Sequence, residues 1–285
     1  MIKIYEVCSV FSPQPTLTTA YLLVAHGSRD PRPQIALERL TYLVSQNLAG
    51  LAPATTSTED FAVFEQLTPA SRHGVSVLSK PGVSVLSANL ECQSLPLHRQ
   101  IPQLIEPLMA QGVTEVKILP LFLAAGVHVC EDLPAEIDQA QGILGSRCRL
   151  IGLPFLGSLP LLAPRLEQWF QQYQTQSQAQ RILLAHGSRR PGGNTAIANL
   201  AQSLNAQVAF WKTEPSLEQV LSPLTSTHQV VILPYFLFAG GITDLIQGKI
   251  QQLQRDYPAL NIKLGEPLGP NPILASLIAE QLKQG

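Results

Sequence analysis

The pentapeptide Ala-His-Gly-Ser-Arg occurs twice, at 25–29 and again at 185–189, each time directly after a short apolar run. Leu22-Leu23-Val24 and Ile182-Leu183-Leu184 read as buried strands, so His26 and His186 each stand where a strand hands over to a helix. Open parallel sheets bind ligands at that edge. A third histidine, His128, ends the run that begins at Leu119, and its counterpart in the second half is Ile242. Only the first half therefore sets two histidines at the tops of two different strands, with Glu131 and Asp132 close behind. Two imidazoles with carboxylates nearby suit metal binding or proton abstraction. An unperturbed pKa near ~6.5 lets imidazole act as a neutral ligand or base, and borderline divalent metals favour it. A lone histidine after a strand is more often a structural residue. Pairing at two strand ends lifts His26 and His128 above that reading, whereas His186, without a partner in its own half, stays with it.

The elements that must position these residues are duplicated. The block Ile118 to Gly126 returns as Ile232 to Gly240, and Leu156 to Ala163 returns as Leu268 to Ala275, in the same order as the pentapeptides. Helical spacing of Leu37, Leu40, Val44 and Leu48 after the first pentapeptide is matched by Ile197, Leu200, Leu204 and Val208 after the second. A second helix pairs Ile101, Leu104, Ile105 and Leu108 with Leu217, Val220, Leu221 and Leu224, and Pro107 with Pro223, a residue that kinks or shortens a helix. Strands at Val116–Leu119 and Val230–Leu233 follow, then a third helix in each half. Alternating strands and helices predict an α/β protein of two tandem three-layer α/β/α lobes, each with a small parallel sheet. The expected boundaries are 17–170 and 178–285. His26 and Pro120 are 94 positions apart but His186 and Pro234 only 48, so the first half carries an insertion, placed near 50–87. That stretch contains the hexapeptide Gly-Val-Ser-Val-Leu-Ser twice, at 74–79 and 82–87, and reads as a mobile surface excursion. His73 and His98, in or beside it, and His228 read as solvated.

Composition narrows the class. A net charge of −1 over 285 residues gives no electrostatic case for nucleic acid. The longest apolar stretches, around 118–130 and 230–242, fall short of the roughly 18 residues of a membrane span and read as core strands. The N-terminus lacks a signal-peptide pattern, so a cytoplasmic protein is expected. Cys8, Cys92, Cys130 and Cys148 form no C-x-x-C pair. They read as reduced thiols rather than a zinc or dithiol site.

The strand followed by His26-Gly27-Ser28-Arg29, the block Leu119-Pro120-Leu121-Phe122-Leu123 through Gly126-Val127-His128, the closing Asp132-Leu133-Pro134, and Pro154-Phe155-Leu156-Gly157 resemble the sirohydrochlorin chelatases. The resemblance covers most of the chain as two tandem copies. It implies an ATP-independent lyase that inserts Co2+ or Fe2+ into sirohydrochlorin, in cobalamin or siroheme biosynthesis, with the metal as substrate and no prosthetic group. It also implies that His26 and His128 are the metal-binding and catalytic pair and that Glu91 is the assisting acid. Ile242 departs from the pattern, which argues against a second active site.

That chemistry fits the residues. Two pyrrole protons must leave as the metal exchanges water for ring nitrogens, and a histidine can accept a proton. Sirohydrochlorin carries several carboxylates, which Arg29 and Arg189, with Arg32 and Arg190, could bind through paired hydrogen bonds. Gly27 and Ser28 could present backbone N–H groups to an anion at a helix start, and the matching turn in the second half could keep that role. The expected partners are sirohydrochlorin and a divalent metal, without nucleic acid or membrane, and tandem duplication is compatible with a monomer. Two rivals remain at this point. A serine hydrolase using Ser28 lacks a Gly-x-Ser-x-Gly elbow; a noncatalytic two-lobed metal or tetrapyrrole carrier would need the same cleft and histidines.

Overall fold

The computed structural model describes residues 19–50, 76–80, 83–175, 179–224 and 229–284. In the first half, β1 (Thr19–Ala25) leads into α1 (Pro31–Leu48), which is followed by β2 (Ser76–Lys80) and β3 (Val83–Asn89). Then come α2 (Leu97–Met109), β4 (Glu115–Pro120), α3 (Leu133–Leu144), β5 (Arg149–Gly152) and α4 (Leu162–Tyr173). The second half repeats the plan without β2. It comprises β6 (Gln180–Ala185), α5 (Thr195–Ser203), β7 (Gln207–Phe210), α6 (Leu217–Leu221), β8 (Gln229–Pro234), α7 (Gly241–Asp256), β9 (Asn261–Leu264) and α8 (Pro272–Gln284).

The strands form two sheets, ordered β2-β3-β1-β4-β5 and β7-β6-β8-β9. All pairings are parallel except β2 with β3. Parallel strands covered on both faces must be apolar on both faces. In β1, Leu22 and Val24 join a core with α2 and α3, while the alternate Leu23 and Ala25 join a larger one with α1 and α4. β6 divides likewise, with Ile182 and Leu184 on one side and Leu183 and Ala185 on the other. The larger core is continuous between lobes, because α4 packs on β8 and α8 packs on α1. Arg181 reinforces the seam by donating to Glu167 of α4 at 2.7 and 2.9 Å. Those bonds hold the Glu167 carboxyl below its usual range.

Several sequence expectations change. The second copy of the repeated hexapeptide is no surface excursion: it enters β3, where Ser84, Val85, Leu86 and Ser87 are buried beside β1. Its first copy enters β2, the antiparallel edge strand. A repeat of alternating small and apolar residues can pair with itself as two adjacent strands, so the excess over the second half ends before Val83. Val208 is not on the first helix of its half. That helix stops at Ser203, Asn205 takes a positive φ of 49°, and Val208 belongs to β7. The long apolar runs are strands only as far as Pro120 and Pro234, after which the chain loops over the sheet edge. His98 is not solvated, because its ring and its backbone N–H both bond Glu136 of α3, at 2.9 and 2.6 Å. Beyond the three helices read from the sequence, an edge strand, β5 or β9, and a fourth helix, α4 or α8, complete each lobe. Cys8, His73, His228 and residues 51–75 lie outside the described residues. Among the described residues, no helix is long and apolar enough to cross a membrane.

Candidate metal and active site

β1 ends at Ala25, which delivers His26 to the edge of the sheet. Backbone pairing then continues past both strand ends: the Leu90 N–H donates to the Ala25 carbonyl and the Glu91 N–H to the His26 carbonyl, at 2.9 and 2.8 Å. Glu91 is thereby fixed beside His26. The approach requires glycine at position 27, since a β-carbon there would run into the Glu91 carbonyl and the φ of 97° lies in the left-handed region. His128 comes from the loop after β4 and opens a π-helical turn spanning His128–Asp132, a form common at functional sites. That turn brings the Asp132 carboxylate to 2.8 Å from His128 Nδ1.

The three side chains converge. His26 Nε2 and His128 Nε2 are 3.2 Å apart. Glu91 lies 4.0 Å from His26 Nε2 and 3.9 Å from His128 Nδ1. One ligand atom from each of His26, Glu91 and His128 fits within a 4.8 Å cluster. Two nitrogens bonded at about 2.0–2.1 Å to one ion, at a tetrahedral angle, lie about 3.3 Å apart, so the histidine spacing suits shared coordination. The neighbours select the right tautomers: Nδ1–H of His128 donates to Asp132, and Nδ1–H of His26 donates to the Gly27 carbonyl at 3.2 Å. Both Nε2 lone pairs are then free for an ion, the arrangement in which a carboxylate behind a histidine orients it. About half of the His26 and Glu91 side-chain surface stays exposed, so the cluster is open to an incoming partner.

The cluster borders a cleft of about 640 Å³ between the lobes. Its walls are apolar. Phe122, Leu123 and Ala124 line it from the first lobe, and Phe236, Phe238 and Ile242 from the second. The Phe122 ring lies 6.4 and 6.3 Å from the His26 and His128 rings. The loop that carries Phe122 is pinned from two sides. Gly157 packs so closely beneath it that a β-carbon would strike the Leu123 carbonyl, and Tyr235 of the second lobe donates its hydroxyl to that same carbonyl at 3.2 Å. Burial raises the Tyr235 phenol above its usual range, keeping it a donor.

The remaining expected site residues have varied positions. Gly27 and Ser28 line the cleft. Ser28 Oγ accepts the Asp30 N–H at 3.0 Å and so braces the start of α1. Arg29 and Arg189 are exposed just beyond the residues that line the cleft. Arg32 is not free for an anionic ligand: it bridges Asp30 and Asp244 across the lobes, with contacts at 2.6 and 2.7 Å. Its hydrogen bonds hold both carboxyls below their usual range. The matching turn of the second lobe is also engaged, because the Ser188 N–H donates to Asn194 at 2.7 Å. His186 does line the cleft. The sequence reading missed Phe122 and Tyr235 as site elements; the signal was the block 118–126 returning as 232–240, which marks both loops as sheet-edge neighbours.

A model of the CbiX family matches residues 91–173 and 180–285. Over 200 residues the chain is 24% identical to the sirohydrochlorin cobaltochelatase of Priestia megaterium, covering 65% of each protein, just under two thirds of that relative's length. It is 29% identical to the sirohydrochlorin ferrochelatase of the same organism over 64% of this chain and 72% of that one. SirB from Bacillus subtilis, solved with Fe3+, superposes with a TM-score of 0.65 at 20% identity, covering 94% of this chain and 95% of SirB. CbiX, described as the terminal enzyme for siroheme biosynthesis in denitrifying bacteria, gives a TM-score of 0.59 at 23% identity, over 93% and 99% of the two chains. These structures share the two-lobed α/β fold. With the family model matched across both halves, the chain belongs to the CbiX family.

Proposed function

We propose that the protein is an ATP-independent sirohydrochlorin chelatase that inserts Fe2+ or Co2+ into the macrocycle, in siroheme or cobalamin biosynthesis. The observation that carries this reading is the open His26–Glu91–His128 cluster at the edge of an apolar inter-lobe cleft. Its relatives bear the names of a cobaltochelatase and ferrochelatases.

The chain's own residues divide the work. His26 and His128 hold the incoming metal through Nε2, Glu91 adds a carboxylate, and Asp132 keeps the His128 ring oriented. Three protein ligands leave coordination positions open, so the ion can pass to four ring nitrogens instead of being retained. As it does, two pyrrole protons leave, and two of the three groups freed from the metal, His26, His128 and Glu91, can accept them. Phe122, Phe236 and Phe238 offer flat apolar surface to the ring. Gly27, Ser28, Arg29 and Arg189 meet its acidic periphery.

In this reading the first lobe, 17–170, carries the chemistry and the second, 178–285, supplies the opposite wall, with α4 docked across the boundary. Because one chain supplies both walls, a monomer suffices, and a cytoplasmic location suits a soluble biosynthetic substrate. The test is anaerobic incubation of purified protein with sirohydrochlorin and either Fe2+ or Co2+, followed by absorbance. The expected result is many turnovers per chain. Stoichiometric binding without faster insertion would identify a carrier instead.

A further inference from the structure

The backbone register locates the second-lobe equivalent of Glu91, and it is a lysine. As the Glu91 N–H donates to the His26 carbonyl, so the Lys212 N–H donates to the His186 carbonyl, at 2.9 Å. The preceding Trp211 N–H bonds Ala185 just as Leu90 bonds Ala25. The metal triad His26, Glu91, His128 is thus replaced by His186, Lys212, Ile242. This is a reversal of charge at one position and the loss of a ligand at another.

The reversal extends around the site. The offset that maps His26 to His186 maps Asp30 to Arg190, and the offset that maps His128 to Ile242 maps Glu131 to Leu245 and Asp132 to Ile246. Each of these first-lobe acids has become basic or apolar. Two acids are gained, Asp244 in place of Cys130, which is paired with Arg32, and Glu214 in place of Gln93. The first lobe therefore keeps carboxylates around its histidines, whereas at the matching positions the second has Arg190 and Lys212, in addition to Arg189, which matches Arg29. Arg190 approaches Glu131 at 3.9 Å, and the exposed Lys212 amino group rests 5.9 Å from the Trp211 ring centre with no carboxylate partner among the described ion pairs. The second wall is also more apolar than the first. Phe238 stands where the first lobe has Ala124, and Ile242 remains 38% exposed in the cleft. An apolar face edged by cations complements a flat ring edged by carboxylates.

We propose that the second lobe is a duplicated metal site converted into a carboxylate-binding face, in which Lys212, beside His186, holds an acidic side chain of the macrocycle. This rests on the chelatase reading and divides the cleft: the first wall alone holds the metal, whereas the ring's carboxylates, met on the first wall by Arg29, are held on the second by Lys212 and Arg189. Lys212 is a binding residue that takes no part in metal coordination.

The test is titration of the metal-free protein with sirohydrochlorin, at low and high salt, for wild type, Lys212→Arg and Lys212→Glu, with Co2+ affinity measured separately on each protein. Lys212→Glu is expected to raise the sirohydrochlorin Kd by about 10-fold or more, as loss of a charge-assisted bond implies. Its salt dependence should also be weaker, because a screened attraction has been removed. Lys212→Arg should stay within about 3-fold of wild type, and Co2+ affinity should be unchanged in both variants. Unaltered ring binding in Lys212→Glu overturns the inference, as does a parallel loss of Co2+ affinity, which would mean a general structural role. A wild-type protein that binds no sirohydrochlorin would overturn the chelatase reading itself, which keeps the two failures distinct.

Discussion

His26→Ala and His128→Ala each lower metal insertion by at least about 100-fold, the lower end for losing a positioned acid–base group, whereas His186→Ala lowers it far less. The expectation follows from the geometry. His26 Nε2 and His128 Nε2 face each other at 3.2 Å with Glu91 beside them. His186 has Lys212 and Ile242 in the corresponding places and cannot complete a metal site. Initial rates of anaerobic insertion, on variants checked for folding by thermal unfolding, decide the matter. None of the three histidines belongs to the buried core, so the variants should fold. Equal and severe losses in all three would show that both lobes carry out the chemistry.

Gly27→Ala is expected to abolish tight metal binding, and Gly187→Ala is its matched control. Both glycines have positive φ, 97° and 85°, and both sit in the turn after the first strand of their lobe. A β-carbon at either position adds backbone strain of about 1–2 kcal/mol as well as a collision. At Gly27 the obstacle is the Glu91 carbonyl; at Gly187 it is the Thr213 hydroxyl, with Phe210 Cβ at 2.9 Å. Relief at Gly27 must push Glu91 away from His26 and dismantle the cluster. Relief at Gly187 disturbs only the second lobe's turn. Calorimetric titration with Co2+ should therefore show at least about a 10-fold loss of affinity in Gly27→Ala, comparable to losing a group that orients a ligand, and little change in Gly187→Ala. If both variants lose metal equally, Gly27 acts through general destabilisation and the account of how Glu91 is positioned is wrong.

Much of the lobe plan was legible in the sequence because duplication makes each half a reading of the other. The apolar runs at 22–24 and 182–184 became β1 and β6, and the helical stripes from Leu37 and Ile101 became α1 and α2. His26 and His128 could be singled out because each ends a recognisable strand block. Glu91 was harder. It follows β3, whose sequence neighbour β2 is a near copy, and the segments before it differ in length between the halves; the backbone register to β1 fixes its place, and the matching register in the second lobe pairs it with Lys212. The closing strands β5 and β9 are four residues each and mix exposed with half-buried positions, so neither offers a long apolar run. Arg32 illustrates a further limit. Its helix-start position reads as an anion site, yet its partner Asp244 is 212 residues away in the chain, and no local pattern announces that pairing.

The central claim is that one chain holds one metal-insertion site, built from His26, Glu91 and His128. The most direct measurement is a crystal structure of the protein soaked anaerobically with Co2+, with the ion located by anomalous scattering. The account predicts a single ion bonded to His26 Nε2, His128 Nε2 and a Glu91 oxygen, at distances of about 2.0–2.2 Å, and none beside His186. An ion held by His186, or one bound elsewhere while His26 and His128 remain unliganded, would contradict it.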